Sequence, residues 1–253
     1  DAFYQLVIHQ PLASANLNDL YSTVGRNRLY AKQERSATND LAARARSLYE
    51  MDARITRYYH TQVSGGKWNH MMDQTHIGYT SWNNPDKNYM PRVDRIQVPA
   101  AGILGIAVEG DSSCYPDGKN RAVLPDFDNL NRQHYFIEFY NRGEGDIRYK
   151  ISTDEPWIIL SESEGNLTEE KRIWIQIDWT NLKKGMNSSG LTISSDGNPD
   201  VFVGVNALVH KSAALKNFSG FVEANGYVSM EAEHFSGKTE IPGMRWEKIP
   251  GFG

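Results

Sequence analysis

The 253-residue chain contains a single cysteine, Cys114, so no disulfide can form within it. Cys114 sits in the turn-like SSCYPDG with no histidine nearby, which leaves a thiol nucleophile without a base. No apolar run approaches the ~18 residues that a membrane-crossing helix needs. No run of one charge stands out either. With net charge −4 and an isoelectric point near 6.0, nucleic acid is excluded as a partner. The chain has no G-x-S-x-G, no P-loop and no G-x-G-x-x-G, so three common catalytic and phosphate-binding turns are missing. No internal repeat and no low-complexity tract occurs.

Composition then sets the scale. Hydrophobic residues make up 40% and charged residues 23%, which suits globular domains with a core. The length allows roughly two domains at ~100–200 residues each. Six Trp and 13 Tyr supply many flat rings for core packing or ligand stacking.

Residues 1 to about 82 carry a helical pattern. Ala13–Ala31 is rich in Leu, Ala and Asn, with apolar groups at Leu17, Leu20, Tyr21 and Val24. From Leu41 to Val63 the apolar positions Leu41, Ala45, Leu48, Ile55, Tyr59 and Val63 fall on one helical face. Pro11 is expected to break the first segment from the second. Thr38 and Asn39 are expected N-caps, and Gly65-Gly66 an expected C-terminal stop. The pattern predicts an antiparallel helical bundle with its linker over 1–91.

NNPDKNYMP, residues 83–91, has turn and linker chemistry. From Arg92 to about 215 short alternating runs follow, among them VDRIQV, HYFIEFYNRG, KRIWIQIDW and VFVGVNALV. Gly, Asn, Asp and Pro separate them at nearly regular spacing, which predicts an immunoglobulin-like β-sandwich over 92–215. Trp157, Trp174 and Trp179 are expected in its core, with stacking on a glycan as the alternative. In 216–253, Tyr227–Phe235 alternates as a strand behind an Asn225-Gly226 turn. This stretch is too short to finish a domain and is expected to be the first strand of an incomplete C-terminal β domain. Both chain ends are expected to be cut from something longer.

Two clusters carry chemistry. GGKWNHMMDQTHIGYTSW, residues 65–82, packs Trp, His, Asp, Asn, Gln and Tyr closely together. If partly helical, it places His70, Asp73 and His76 on one face, where they offer metal ligands or an acid–base pair. Its Trp and Tyr rings offer stacking faces for a sugar, and its polar groups the directed hydrogen bonds. The opposing reading is a buried turn in which Trp68, Met71, Met72, Ile77 and Tyr79 are core. In the second cluster, YVSMEAEHF, a strand puts Glu231 and Glu233 on one face. Two adjacent carboxylates suit a cation such as calcium, or a solvated edge strand.

The strings themselves go further. GGKWNHMMDQTHIGYTSW followed by P-x-x-N-x-M-P resembles the region after the catalytic barrel in glycoside hydrolase family 115, the xylan α-1,2-glucuronidases. LVIHQPLASANLNDLY, GRNRLYAKQ, EPWIILSESEG, IQIDW, GFVEANGYVSMEAEHF and RWEKIPGFG extend the resemblance over almost the whole chain. It implies an N-terminal α/β domain and a (β/α)₈ barrel upstream, both partners of this chain, followed by the bundle and β domains. It implies an enzyme that removes (4-O-methyl)glucuronic acid from xylan without a cofactor, outside the cytoplasm, in the periplasm or beyond the cell, and homodimeric when whole. The catalytic carboxylates are then expected in the barrel and none here, so the chain alone is expected to be inactive. Trp68, Asn69, His70, Asp73, His76 and Tyr79 become the expected substrate-contacting or supporting residues. YVSMEAEHF also resembles the first strand of family-6 and family-35 carbohydrate-binding modules, which implies a structural calcium at Glu231 and Glu233. The alternative function is a stand-alone carbohydrate-binding or scaffold protein with a helical lead.

Overall fold

The computed structural model describes residues 1–210 and 218–249. Residues 211–217 and 250–253 lie outside the described residues. They hold the expected end of the sandwich, the expected start of the C-terminal β domain and the last four residues of RWEKIPGFG. The chain forms two compact units. The first comprises 1–105, 140–147 and 167–170, and the second the remainder. Helices and two sheets of mixed pairing make it a multidomain α and β protein.

The first unit is built on a helical hairpin. A π-helical turn, Tyr4–Ile8, leads into α1, His9–Lys32, and α2 spans Thr38–Thr61. Pro11 does not break this run. It lies inside a continuous helix, just after the π-turn, where the regular hydrogen-bond ladder is already interrupted and its missing N–H is accommodated. Asn16 Nδ2 donates to Leu48 O (3.1 Å) and Asn27 Nδ2 to Thr38 O (2.9 Å), so the helices run antiparallel. Leu20, Val24 and Ala45 form their seam, and Ile77 from the following loop completes it at zero exposure.

The expected caps of α2 have other roles. Thr38 Oγ1 donates back to Arg35 O (2.6 Å), and no side chain caps the helix start. The Asn39 amide exchanges hydrogen bonds with Ile96 (3.0 and 3.1 Å), and Asn27 does the same with Asp94 (2.9 and 2.8 Å). VDRIQV is therefore extended but joins no sheet: side-chain amides of the helices take the bonds a neighbouring strand would supply. After Thr61, Ser64, Gly65 and Gly66 all take positive φ (51°, 64° and 81°), which ends the helix as the glycines predict.

A second polar knot holds this unit. The buried Arg35 guanidinium lies between the Tyr30 and Tyr140 rings, 4.2 and 4.0 Å from their centroids, and meets Glu170 Oε2 at 3.1 Å. Tyr30 OH donates to the same oxygen (2.7 Å). Asn141 is fully buried. Its Nδ2 donates to Gly145 O and Thr168 O, and its Oδ1 accepts from Ile103 N and Gly143 N. Every hydrogen-bonding position of that amide is filled, which removes the penalty of burying it. Gly143 allows the close approach: a Cβ there would lie 1.7 Å from Ala101 O.

Most strand residues belong to the second unit, and the ends of some strands to the first. One sheet has the order β1 (Leu104–Val108), β4 (Tyr135–Asn141), β8 (Glu170–Ile177), β6 (Ile158–Leu160). The other runs β2 (Ala122–Val123), β10 (Val201–Val209), β9 (Gly185–Ser195), β5 (Ile147–Thr153), β7 (Glu164–Leu167), with β3 (Phe127–Asp128) also on β10. β10 pairs antiparallel with β9 over nine residues and parallel with β2 and β3. Phe139 on β4 and Tyr149 on β5 meet edge to face, 4.7 Å between centroids, so side chains from both sheets share a core. Along β8 the isoleucines Ile173, Ile175 and Ile177 point inward.

That alternation corrects the tryptophan expectation. Trp174 lies between inward isoleucines, so it must point out; it is 42% exposed and touches Phe136 edge to face at 5.4 Å. Trp157 and Trp179 are only half-buried. The segment 218–249 corrects another. Asn225 and Gly226 do form the tight turn, with φ of 52° and 85° and reciprocal Ala224–Tyr227 bonds. No strand follows it among the described residues. Tyr227–Phe235 is irregular and exposed, with a 3₁₀ turn at Ala232–His234. Alternation alone makes no strand where no neighbour supplies a ladder.

Candidate functional site

The stretch 65–82 is a chain of tight turns laid back along α2. Ile77 pins it into the hairpin seam. Asn88 Oδ1 accepts from the amides of His76 (2.8 Å) and Ile77 (3.0 Å), and Tyr49 OH donates to Asn88 O (2.6 Å). Gly78 has φ +98°, and a Cβ there would meet Tyr89 Cβ at 2.9 Å, so only glycine fits.

Two histidine–carboxylate pairs, crossed between helix and loop, hold the same stretch. α2 supplies Asp52 and His60, and the loop supplies His76 and Asp73. His76 Nε2 is 2.9 Å from both Asp52 oxygens, while its Nδ1 is 3.0 Å from Gln74 O. Both ring nitrogens face acceptors, an arrangement that the doubly protonated ring satisfies in full. The hydrogen bond to Asp52 raises its pKa above the ordinary value, against the opposing effect of burial. His60 behaves differently. Its Nε2 accepts the Met72 amide (3.0 Å), which leaves the proton on Nδ1, 3.7 Å from Asp73 Oδ1. Asp73 Oδ2 is also 2.6 Å from His70 Nδ1.

The expectation that His70, Asp73 and His76 share a helical face is therefore overturned. The segment is not helical: His70 takes φ +66°. His70 and Asp73 meet at the exposed rim, and His76 turns inward to Asp52. Among the described residues these three form no metal-ligand group. Trp68 is half-buried; its Nε1 donates to Gln5 Oε1 (3.0 Å), and Lys67 Nζ covers the ring at 4.7 Å. Asn69 is exposed. Tyr79 OH donates to Asn84 Oδ1 (2.5 Å) and is partly exposed. Of the residues expected to be core in the buried-turn reading, Ile77 is buried, Trp68 and Met72 are half-buried, and Met71 and Tyr79 are exposed. The stretch is thus a pinned turn underneath, with an open rim of Asn69, His70, Asp73 and Tyr79.

Sequence reasoning missed Asp52, His60 and His9. All three are buried polar groups on otherwise apolar helical faces, which is the one signal the sequence held. His9 packs on Tyr59 at 4.3 Å, and burial followed by the nearby His60 lowers its pKa.

At the other cluster, ligand atoms of Glu231, Glu233 and His234 lie within 4.8 Å of one another, all exposed. His234 Nδ1 is 3.0 Å from Glu231 Oε2. Calcium takes about six to eight oxygens. Two surface carboxylates and an imidazole, the donors found there among the described residues, fall short of that number and do not fit calcium by themselves.

Comparison with known proteins gives one family match. The family described as "Glycosyl hydrolase family 115 C-terminal domain" matches residues 220–253. That supports a glycoside hydrolase context. Among curated proteins nothing matches. Solved structures include a Bacteroides ovatus GH5 xyloglucanase bound to a XXXG heptasaccharide, at 20% identity and TM-score 0.30, covering 42% of this chain and 19% of that one. A PapD-like domain of human CEP192 aligns at 9% identity and TM-score 0.33, covering 50% of this chain and 99% of its own. The Escherichia coli chaperone DraB aligns at 10% identity and TM-score 0.28, covering 46% and 58%. Likenesses this weak carry no argument. Among the described residues no helix is long and apolar enough to cross a membrane.

Proposed function

We propose that this chain is a non-catalytic part of a family 115 glycoside hydrolase that removes (4-O-methyl)glucuronic acid from xylan. The observation that carries the reading is the family match at 220–253. The sequence resemblance running from LVIHQPLASANLNDLY to RWEKIPGFG agrees with it. Catalytic carboxylates come from a barrel domain of the same enzyme, and a second copy completes its homodimer. The enzyme works outside the cytoplasm, and the two sheets correspond to its immunoglobulin-like sandwich. The rim of 65–82 forms a wall of the active-site cleft. Trp68 gives that wall a half-buried ring, Asn69, His70, Asp73 and Tyr79 offer directed hydrogen bonds, and His76 holds the loop from below.

Glucuronic acid release from glucuronoxylan tests this directly. The 253-residue chain should release none, and the enzyme carrying the barrel should release it. Release by the chain alone, or none by the barrel-bearing enzyme, contradicts the proposal.

A further inference from the structure

The second unit holds a cleft of ≈ 680 Å³ between the turn that follows β3 and the segment after residue 217. Phe218, Phe221 and Tyr227 form one wall, and they are 51%, 38% and 61% exposed. Asn129, Asn131 and Arg132 line the other. The volume is in the range of ligand clefts and gives room for roughly two or three pyranose rings.

The polar wall is held in shape by a buried carboxylate behind it. Asp128 accepts from Leu130 N (2.9 Å), Asn131 N (2.7 Å), Asn131 Nδ2 (2.9 Å) and Gln133 Nε2 (2.5 Å). Four donors satisfy that charge and keep its carboxyl below the usual range, although burial opposes this. Asn129 Oδ1 accepts from His210 N (2.9 Å). Among the described residues, the Asn129 Nδ2 and Asn131 Oδ1 atoms have no hydrogen bond. They give the wall one donor and one acceptor. Among the described residues that line the cleft, Arg132, at φ +49°, is the one with a charged side chain, and none carries a carboxylate. The aromatic wall is set by the Asn225-Gly226 turn, and Asn225 Nδ2 donates to Tyr135 OH (2.5 Å).

We infer that this cleft binds an acidic saccharide: its Phe and Tyr rings stack on pyranose faces, and Arg132 takes the uronate carboxylate. Aromatic rings suit the C–H faces of sugars. Amides fix hydroxyls, and a guanidinium forks a carboxylate with two parallel bonds. A peptide strand fits less well, because its usual partner is an open strand edge, and among the described residues that line this cleft none belongs to a strand. The cleft involves none of residues 65–82 and stands without the proposed function; only the choice of a xylan-derived probe rests on that reading.

Calorimetric titration of the 253-residue chain tests the inference. The probes are a xylo-oligosaccharide bearing 4-O-methylglucuronic acid, an oligogalacturonate, and a neutral xylo-oligosaccharide. An acidic probe should bind at least tenfold more tightly than the neutral one. Arg132→Gln should remove that difference, and Tyr227→Ala should weaken the acidic probe about tenfold, with the thermal midpoint unchanged in each. If either variant fails to fold, raising salt from 0.05 to 0.5 M with the unaltered chain should weaken only the acidic probes. Binding of oligogalacturonate without the xylan-derived acid upholds the cleft and counts against the xylan reading. No binding by either acid, binding indifferent to both variants and to salt, or equal binding of an acidic peptide overturns the inference.

Discussion

His76 Nε2 stands 2.9 Å from each carboxylate oxygen of Asp52, two residues 24 apart in sequence. The pair fastens the loop to α2 one turn before Ile55, and it does so through a charge. The folded pKa of His76 is raised above its unfolded value. Its contribution to stability is therefore fully present below the unfolded pKa of about 6.5 and is lost as pH rises through the folded pKa. An NMR titration of His76 should give a midpoint above the ordinary histidine value, and Asp52→Asn should lower it. A midpoint at or below 6.5 in the unaltered chain would contradict the pairing.

Ile77 is the loop's apolar anchor, at zero exposure against Leu20, Val24 and Ala45. Ile77→Ala should destabilise the chain by about 2–5 kcal/mol, the usual cost of emptying a packed aliphatic site. Trp82, 98% exposed, is the control. Trp82→Ala should lie within about 0.5 kcal/mol of the parent in denaturant unfolding.

Asn141→Ala should cost about 3 kcal/mol, because it leaves the buried Gly143 N without its acceptor and takes partners from the part-buried Gly145 O, Thr168 O and Ile103 N. Gly143→Ala should be comparably damaging, since its Cβ would strike Ala101 O. Thermal unfolding measures both, and a midpoint unmoved in either variant would show that the knot around Asn141 relaxes.

Arg35→Met tests the buried cation. The substitution keeps most of the volume between Tyr30 and Tyr140 but takes the buried guanidinium away from Glu170, which keeps Tyr30 OH (2.7 Å) and Arg26 (3.7 Å). Destabilisation should be clear and should shrink when Glu170→Gln is added, because the carboxylate that has lost its buried cation is then neutral. Additive effects of the two changes would speak against their coupling.

Much of this architecture was legible in the sequence. The apolar face of α2, the glycine stop and most strands of the two sheets follow from period and turn chemistry. The failures share a cause. VDRIQV and Tyr227–Phe235 have strand-like patterns, yet a strand exists only where a neighbour supplies its hydrogen bonds. Asn27 and Asn39 serve the first, and nothing described serves the second. Trp174 was misplaced because hydrophobicity suggested core, whereas the isoleucines on either side already held the inward positions. At the candidate site, residue types set 65–82 apart from the rest of the chain. They could not show that His76 turns inward, because its partner Asp52 lies in another element. Buried polar residues on apolar helical faces were the readable signal, at Asp52 and His60.

The central claim is that the rim of 65–82 walls the cleft of a xylan-debranching enzyme. It is tested most directly by the kinetics of Trp68→Ala in the barrel-bearing enzyme on 4-O-methylglucuronic-acid-substituted xylo-oligosaccharides. The account predicts a fall in kcat/KM of about tenfold or more, equivalent to ~1.4 kcal/mol of transition-state stabilisation, with the thermal midpoint unchanged. Unchanged kinetics in an equally stable variant would contradict it.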